Sequence, residues 1–280
     1  MFNSFFMKNI LVPIDFSETS YNAAKYAVSL AQSFDANIIL INVVALPVMI
    51  DDSVLASVMI TQAEIIDNNK KLMKNVVEAL SKDHSLKVKG FVTEGQTFES
   101  ILNFAEDLHA DLITMGMKGR GKSNSPFGST TTTMMRVSHL PVFVIPENVV
   151  FKPINTITFA SDFDADKPMG NTIFFQELVE KYNSFIQILK VQKNEYAMTS
   201  GDVSGKMETD LLLSKLKHRF FVIENKDVER GIHEFLASNP TDILVMVAHK
   251  HSLFKRIFGT VHTKEMSYQT KIPLLILQDE

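Results

Sequence analysis

The sequence predicts an α/β protein made of two tandem, doubly wound units, each with a mostly parallel, five-stranded sheet. Three observations favour this class. Short apolar runs alternate with segments of helical period, similar segments recur in the two halves, and 280 residues are enough for two domains of ordinary size. Strands that alternate with helices pair in parallel, and helices then cover both faces of the sheet.

The first copy supplies its five strands in order, with a helix after each of the first four. Apolar residues at helical spacing begin at Ala23 in the first helix, include Met73 in a long second helix, and include Ile101 in the third. A fourth helix should begin near Ser129 and stop before Pro141. Buried apolar runs predict the strands Ile10 to Ile14, Ile38 to Val44, Val88 to Val92, Leu112 to Met115 and Val142 to Ile145.

Two pairs of segments define the repeat. KNILVPIDFSETS resembles NTITFASDFDADK, which aligns Asp15 with Asp162. ADLITMG resembles TDILVMV, and both copies then reach Phe-Gly-Ser or Phe-Gly-Thr after the same interval. The copies meet at the short segment VVFKP, so we expect the halves to pack on each other. This junction predicts two domains, residues 1–148 and 153–280.

Composition excludes several classes of function. With 28 basic and 32 acidic residues, the formal charge of -4 gives no general attraction for nucleic acid or for an anionic membrane. No cysteine is present, which rules out thiolate metal sites, Fe-S clusters and cysteine nucleophiles. No apolar run approaches the ~18 residues that span a bilayer, and the first residues lack a basic leader, so we predict a cytoplasmic protein. No residue set suggests a catalytic nucleophile or acid–base pair.

The stretch MGMKGRGKSNSPFGST fits two phosphate-loop patterns. From Gly116 to Ser123 it matches the Walker A string, which needs a helix to start at the Lys-Ser. The residues from Asn124 to Gly128 break a helix instead, and the second copy has nothing like Gly-Lys-Ser. The second pattern is a longer loop that ends at Ser129. We favour this longer phosphate loop.

Each glycine of the long loop has a physical rationale. Gly116 would leave the strand end open to a ligand, and Gly119 would let the backbone turn its amides inward. Gly128 and Ser129 open the next helix, so that Ser129 could cap it while free amides receive phosphate oxygens. The basic rim of this loop, which would attract phosphate or simply be solvated, consists of Lys118, Arg120 and Lys122.

These segments resemble the universal stress protein family. ILVPIDFSETS, the MGMKG and FGST parts of the loop, and PVFVIP carry the resemblance, which spans both halves. The family loop reads Gly, two residues, Gly, nine residues, Gly, Ser or Thr, and it cradles the phosphates of ATP. Here the second interval, Arg120 to Phe127, holds eight residues.

The resemblance implies a site for ATP or AMP in the N-terminal half, with a magnesium ion that could bridge the phosphates. Asp15, beside Pro13, would contact adenine or ribose, and Val43 would offer its backbone to adenine. Asp15 has an alternative role as N-cap of the first helix. The residues expected along the ribose and the phosphates are Met115, Gly116, Lys118, Gly119, Gly128, Ser129 and Thr130.

The family also implies how the halves relate. The last strands, Val142 to Ile145 and Leu274 to Leu277, are expected to pair antiparallel across a pseudo-twofold axis, which makes one chain an intramolecular pseudo-dimer. A further homodimer could form. In the second copy Val247 replaces Gly116 and Lys250 replaces Gly119. We therefore expect this copy to be degenerate and not to bind ATP in the family manner.

Functionally, we expect a stress-response protein that acts as a nucleotide-dependent regulator or interaction module, through an unidentified protein partner and without nucleic acid or membrane. Two alternatives stay open, a nucleotide-free scaffold and a slow ATPase. His249, His251 and His262 could hold zinc or could be surface or packed histidines.

Overall fold

The computed structural model describes residues 7–45, 55–82, 86–119, 127–162, 172–192, 200–248 and 271–278. Several residues singled out in the sequence lie outside these ranges: Arg120, Lys122, His249, Lys250, His251, Gly259, Thr260 and His262. Among the helices that the structure describes, none combines the length and the apolar character that crossing a membrane requires.

Strands and helices alternate in the order that the sequence predicts. The first half contains β1 Asn9–Pro13, α1 Glu18–Phe34, β2 Asn37–Ala45, α2 Leu55–Ser81, β3 Val88–Gly95, α3 Thr97–Asp107, β4 Leu112–Gly116, α4 Ser129–Val137 and β5 Val142–Ile145. The second half contains β6 Thr156–Ala160, α5 Thr172–Tyr182, β7 Phe185–Gln192, α6 Ser200–Leu212, β8 His218–Glu224, α7 Val228–Ser238, β9 Ile243–Ala248 and β10 Leu274–Gln278.

Backbone contacts divide the chain into two compact units. The first unit comprises Met7–Met134 and Ile145–Phe151, and the second comprises Met135–Val144 and the chain from Lys152 onward. The domains at 1–148 and 153–280 describe the sequence repeat and stay a prediction.

The first unit is a parallel sheet with the strand order β3-β2-β1-β4. Register pairs Pro13 with Ile41 and Ile10 with Leu112. The central residues of β1 are fully buried because helices cover the sheet, and α1 packs on β1, β2 and β4. The α/β class and the parallel pairing are confirmed.

The second unit repeats this order as β8-β7-β6-β9, again with all pairs parallel. Strand β10 continues the sheet in parallel with β9, and β5 pairs antiparallel with β10. In this last pair Val144 lies opposite Leu274 and Val142 opposite Ile276. The antiparallel pairing of the two closing strands is therefore confirmed.

A repeated aspartate holds the start of the first strand in each half. Asp111 Oδ2 accepts hydrogen bonds from the backbone N–H of Lys8 and of Asn9, at 2.6 and 2.9 Å. Asp242 Oδ2 accepts in the same way from Asn155 and Thr156, both at 2.8 Å. In each half, an aspartate just before the fourth strand therefore fixes the start of the first strand. This shared role explains why both repeats have an aspartate at this position.

Candidate functional site

The candidate site lies at the carboxyl edge of the sheet in the first unit. Because β1, β2 and β4 are parallel, their last residues, Pro13, Ala45 and Gly116, come together at one edge. Ligands of doubly wound sheets bind at this edge. The segments after β1 and β4 supply the polar groups found there.

The tip of β1 presents the carboxylate of Asp15. Asp15 Oδ1 accepts from the backbone N–H of Ser17 at 3.0 Å and from the Ser17 hydroxyl at 2.6 Å. Ser17 is the N-cap of α1, and its Oγ accepts from the N–H of Ser20 at 3.2 Å. The alternative in which Asp15 caps this helix is therefore wrong. Asp15 is instead anchored by Ser17, the residue that caps the helix.

Gly119 lies directly against Asp15. A Cβ atom placed on Gly119 would stand 2.5 Å from Asp15 Oδ2, which is closer than two such atoms approach each other. The other end of the loop is near as well, because a Cβ on Gly128 would lie 3.5 Å from the nitrogen of Gly119. The N–H of Gly128 also donates to the carbonyl oxygen of Met117 at 2.9 Å. The loop that begins at Met117 is thus closed at its base, beside Asp15.

Gly116 has a different role from the one expected. A Cβ on Gly116 would stand 2.9 Å from Thr19 Cγ2 and 3.0 Å from the carbonyl oxygen of Thr19. The absent side chain therefore makes room for the first turn of α1, whereas we expected it to leave space for a ligand. The expectation that Val247, at the equivalent position, keeps the second unit from binding ATP in the family manner stays a prediction.

The start of α4 also differs in detail from expectation. The carbonyl oxygen of Gly128 accepts from the N–H of Thr132 at 2.9 Å and from its hydroxyl at 3.0 Å. Gly128 therefore occupies the cap position, and Ser129, expected to be the cap, is the exposed first residue of the helix. The first amides of α4, including those of Ser129 and Thr130, still lie at its free N-terminal end.

Thr131 is a site residue that sequence reasoning missed. Its side chain is buried, and its hydroxyl donates to the carbonyl oxygen of Gly116 at 3.0 Å. This bond joins the end of β4 to the first turn of α4 across the base of the loop. A run of four threonines, Thr130 to Thr133, was the available signal, but the run does not show which hydroxyl is buried.

The backbone of Val43 faces the space beyond β1. The N–H of Ile14 donates to the carbonyl oxygen of Ile41 at 2.8 Å, so the polar groups of Ile41 point toward β1. Residues two apart on a strand point the same way, and Val43 therefore directs its N–H and C=O past the last paired position, Pro13. Such groups can recognise the polar edge of a planar ring.

A pair of amide side chains, one buried and one half-buried, supports this edge and was also missed in the sequence. Asn42 Nδ2 donates to the carbonyl oxygen of Ile14 at 2.7 Å, and Asn69 Nδ2 donates to Asn42 Oδ1 at 2.9 Å. Asn42 belongs to β2 and Asn69 to α2. Their separation in sequence gave no pattern from which the contact could be predicted.

The structure thus brings the ten residues of the predicted site to one edge of the first unit. They lie at the ends of β1, β2 and β4, along the loop after β4, and in the first turn of α4: Pro13, Asp15, Val43, Met115, Gly116, Lys118, Gly119, Gly128, Ser129 and Thr130. Within the described ranges, no three histidine, aspartate or glutamate side chains come together as a metal site.

Comparison with known proteins agrees with these features. The model of the universal stress protein family matches residues 7–146. Universal stress protein MJ0531 of Methanocaldococcus jannaschii is 30% identical over 139 residues, which cover 49% of this chain and 81% of that protein. Universal stress protein Sll1654 of Synechocystis is 27% identical over 142 residues, which cover 50% of this chain and 85% of that protein.

A solved structure extends the likeness of fold to both halves. The crystal structure of a universal stress protein from Archaeoglobus fulgidus superposes with a TM-score of 0.68 and covers 97% of this chain and 96% of its own, at 17% identity. At that identity the likeness shows the fold alone. The match over residues 7–146, which is half of the sequence, shows that the chain belongs to the universal stress protein family.

Proposed function

We propose that the first unit binds an adenine nucleotide, ATP or AMP, and that the protein acts in the cytoplasm as a nucleotide-dependent regulator of the stress response. The observation that carries the proposal is the contact of Asp15 with Gly119. It places the carboxylate at the tip of β1 beside the base of a glycine-containing loop, where a nucleotide could touch both.

The nucleoside end of the ligand would lie over the tips of β1 and β2. The N–H and C=O of Val43 can pair with the edge of adenine, and Asp15, beside Pro13, can accept from a ribose hydroxyl or from the adenine amino group. Asp15 is held in place through Oδ1, which accepts two hydrogen bonds from Ser17.

The phosphate end would lie at the start of α4. Free amides and the helix dipole at an N-terminus favour anions. Ser129 and Thr130 begin that helix, after Gly128, whose own N–H donates to Met117. Lys118, before Gly119, adds a positive charge on the same loop. Met115 and Gly116 form the end of β4, under the expected path from ribose to phosphate.

Magnesium would bind through the nucleotide. The described residues hold no cluster of carboxylates or histidines that could enclose a metal ion. Mg²⁺ keeps several water ligands and is commonly held by substrate phosphates with one or two protein groups. The hydroxyls of Ser129 and Thr130 are suited to assist.

Regulation would follow because the nucleotide changes which conformations of the protein are populated. A ligand that contacts both Asp15 and the loop favours conformations in which the two are together, and it changes the surface that a protein partner meets. Binding without fast turnover is the proposed mode of action, and slow ATP hydrolysis is the alternative that the experiments below separate from it.

The first test is to denature freshly purified protein and to identify released nucleotides by chromatography with mass detection. A titration of the nucleotide-free protein with MgATP and with AMP then gives the dissociation constants. We expect Asp15→Ala to weaken binding at least about tenfold, a typical cost for losing a charged hydrogen-bonding partner. Asp162→Ala, the matched change in the second unit, should leave affinity unchanged.

Three other results have distinct meanings. If the intact protein neither releases nor binds an adenine nucleotide, the scaffold alternative is correct. If Asp15→Ala and Asp162→Ala bind as well as the unmodified protein, the ligand occupies another site. Sustained phosphate release with ATP would identify a slow ATPase.

A further inference from the structure

We infer that Asn42 and Asn69 are positioning residues for the nucleotide, because they fix the peptide unit that precedes Asp15. The inference rests on the proposed function of the first unit. Neither side chain needs to touch the ligand. They would act through the backbone at the tip of β1.

The geometry defines a relay from helix to strand to strand tip. Asn69 on α2 donates to Asn42 on β2 at 2.9 Å, and Asn42 donates to the carbonyl oxygen of Ile14 at 2.7 Å. Asn42 is only 6% exposed, so no solvent replaces either bond at low cost. Asn69 is half-buried.

The carbonyl of Ile14 and the N–H of Asp15 belong to one planar peptide group. The N–H of Ile14 donates to the carbonyl oxygen of Ile41, and the carbonyl oxygen of Ile14 accepts from Asn42. Rotation of the peptide before Asp15 would break the second bond. The Asn42 amide therefore helps to set the direction in which the Asp15 side chain leaves the backbone, together with Ser20, whose Oγ accepts from the N–H of Asp15 at the longer distance of 3.4 Å.

The second unit has a related arrangement with charged residues. Lys190 is the sixth residue of β7, as Asn42 is of β2, and its Nζ donates to the carbonyl oxygen of Asp162 at 3.2 Å. Lys190 also forms a salt bridge with Asp202 of α6, and the two side chains are 9% and 14% exposed. Helix, strand and tip are thus joined in both units.

The two relays differ in charge. In the second unit the ammonium group of Lys190 is paired with Asp202 and is largely buried. A neutral amide holds the backbone and leaves Asp15 as the charged group of the tip. The first unit, where we propose the site, has the neutral relay.

The test compares adenosine with ATP, each titrated calorimetrically into Asn42→Ala and Asn69→Ala proteins. Because the tip of β1 would contact the nucleoside, we expect both ligands to lose affinity by the same factor, about 3- to 10-fold for one net hydrogen bond. Ser129→Ala, at the phosphate end, should weaken the binding of ATP and leave the affinity for adenosine unchanged. If a substitution only destabilised the fold, its effect on affinity would not differ between the nucleoside end and the phosphate end of the ligand.

Asp202→Asn is the matched control in the second unit, since it weakens the corresponding relay. It should lower the unfolding midpoint without changing the affinity for adenosine. Asn69→Ala decides the question if Asn42→Ala does not fold, because Asn69 is half-buried. Unchanged adenosine affinity in a folded variant, or an equal loss in Asp202→Asn, would overturn the inference. Absence of binding by the unmodified protein would overturn the proposed function itself.

Discussion

Asp15 and Gly119 touch at the edge of the first sheet, where a Cβ on Gly119 would lie 2.5 Å from Asp15 Oδ2. The carboxylate cannot simply turn away, because its other oxygen accepts two hydrogen bonds from Ser17. We therefore expect Gly119→Ala to displace the loop or the carboxylate. The affinity for ATP should fall at least about tenfold, which is the scale of an overpacking penalty.

Gly128→Ala is the matched variant for this measurement. The atom nearest to its added Cβ would be the nitrogen of Gly119 at 3.5 Å, an ordinary contact distance. Titration should find that Gly128→Ala loses less ATP affinity than Gly119→Ala, since no atom must move to admit its Cβ. Equal affinities for all three proteins would show that the contact between Gly119 and Asp15 has no part in binding.

Thr131 should contribute to the stability of the loop base. Thr131→Val keeps the shape of the side chain but leaves the buried carbonyl of Gly116 without its 3.0 Å partner. We expect a loss of about 1–2 kcal/mol in the free energy of unfolding, measured by denaturant titration. Thr131→Ser keeps the hydroxyl and should lose less. A valine variant as stable as the unmodified protein would contradict this role.

Ser17 should affect both folding and binding. Ser17→Ala removes the N-cap of α1 and one of the two hydrogen bonds to Asp15, so we expect a loss of about 1 kcal/mol in stability and weaker nucleotide binding. Asp227 is the N-cap of α7 in the second unit and accepts from Glu229 and Arg230. Asp227→Ala should cost similar stability and leave affinity unchanged. The same affinity in both variants would argue against a role for the anchored carboxylate.

Asp242 should make stability depend on pH in the acid range. Burial raises the pKa of its carboxyl, but hydrogen bonds from Lys152, Thr156 and Asn155 outweigh burial and hold the pKa below its ordinary value of 3.8. A lowered folded-state pKa stabilises the protein above the unfolded value, and this contribution is lost as the pH falls from 3.8 through the folded pKa.

Asp242→Asn tests this dependence, because an amide still accepts from the backbone but does not attract Lys152, whose Nζ lies 2.6 Å from Asp242 Oδ1. We expect a loss of about 1 kcal/mol in the free energy of unfolding at neutral pH, the gain of a charge-assisted over a neutral hydrogen bond. The difference between the two proteins should shrink below pH 3.8. A difference that is constant with pH would contradict the assigned cause.

The sequence predicted those parts of the fold that local patterns determine. Apolar runs located β4 and β5 within one residue, and the helix expected before Pro141 ends at Val137. Buried parallel strands and amphipathic helices leave strong periodic signals, which do not depend on distant residues. The parallel pairing followed from the alternation of elements.

The details of the candidate site depend on contacts between distant segments, and local patterns do not encode these. The residue that Gly116 accommodates is Thr19, almost a hundred positions earlier. Asn42 and Asn69 meet across two elements, and each has an ordinary polar neighbourhood in the sequence. Ser17, rather than Asp15, caps α1, and Phe16 between them adopts a positive φ of 60°, which the sequence pattern does not reveal.

The pairing of β5 with β10 has a consequence for any attempt to divide the gene. A fragment that ends at residue 148 would keep Val142 to Ile145, which are fully buried, and would discard the strand that covers their edge. An uncovered apolar edge recruits another chain. Nucleotide binding by such a half would then be measured on an artificial assembly, so mutations in the intact chain are the sound way to assign activity to either repeat.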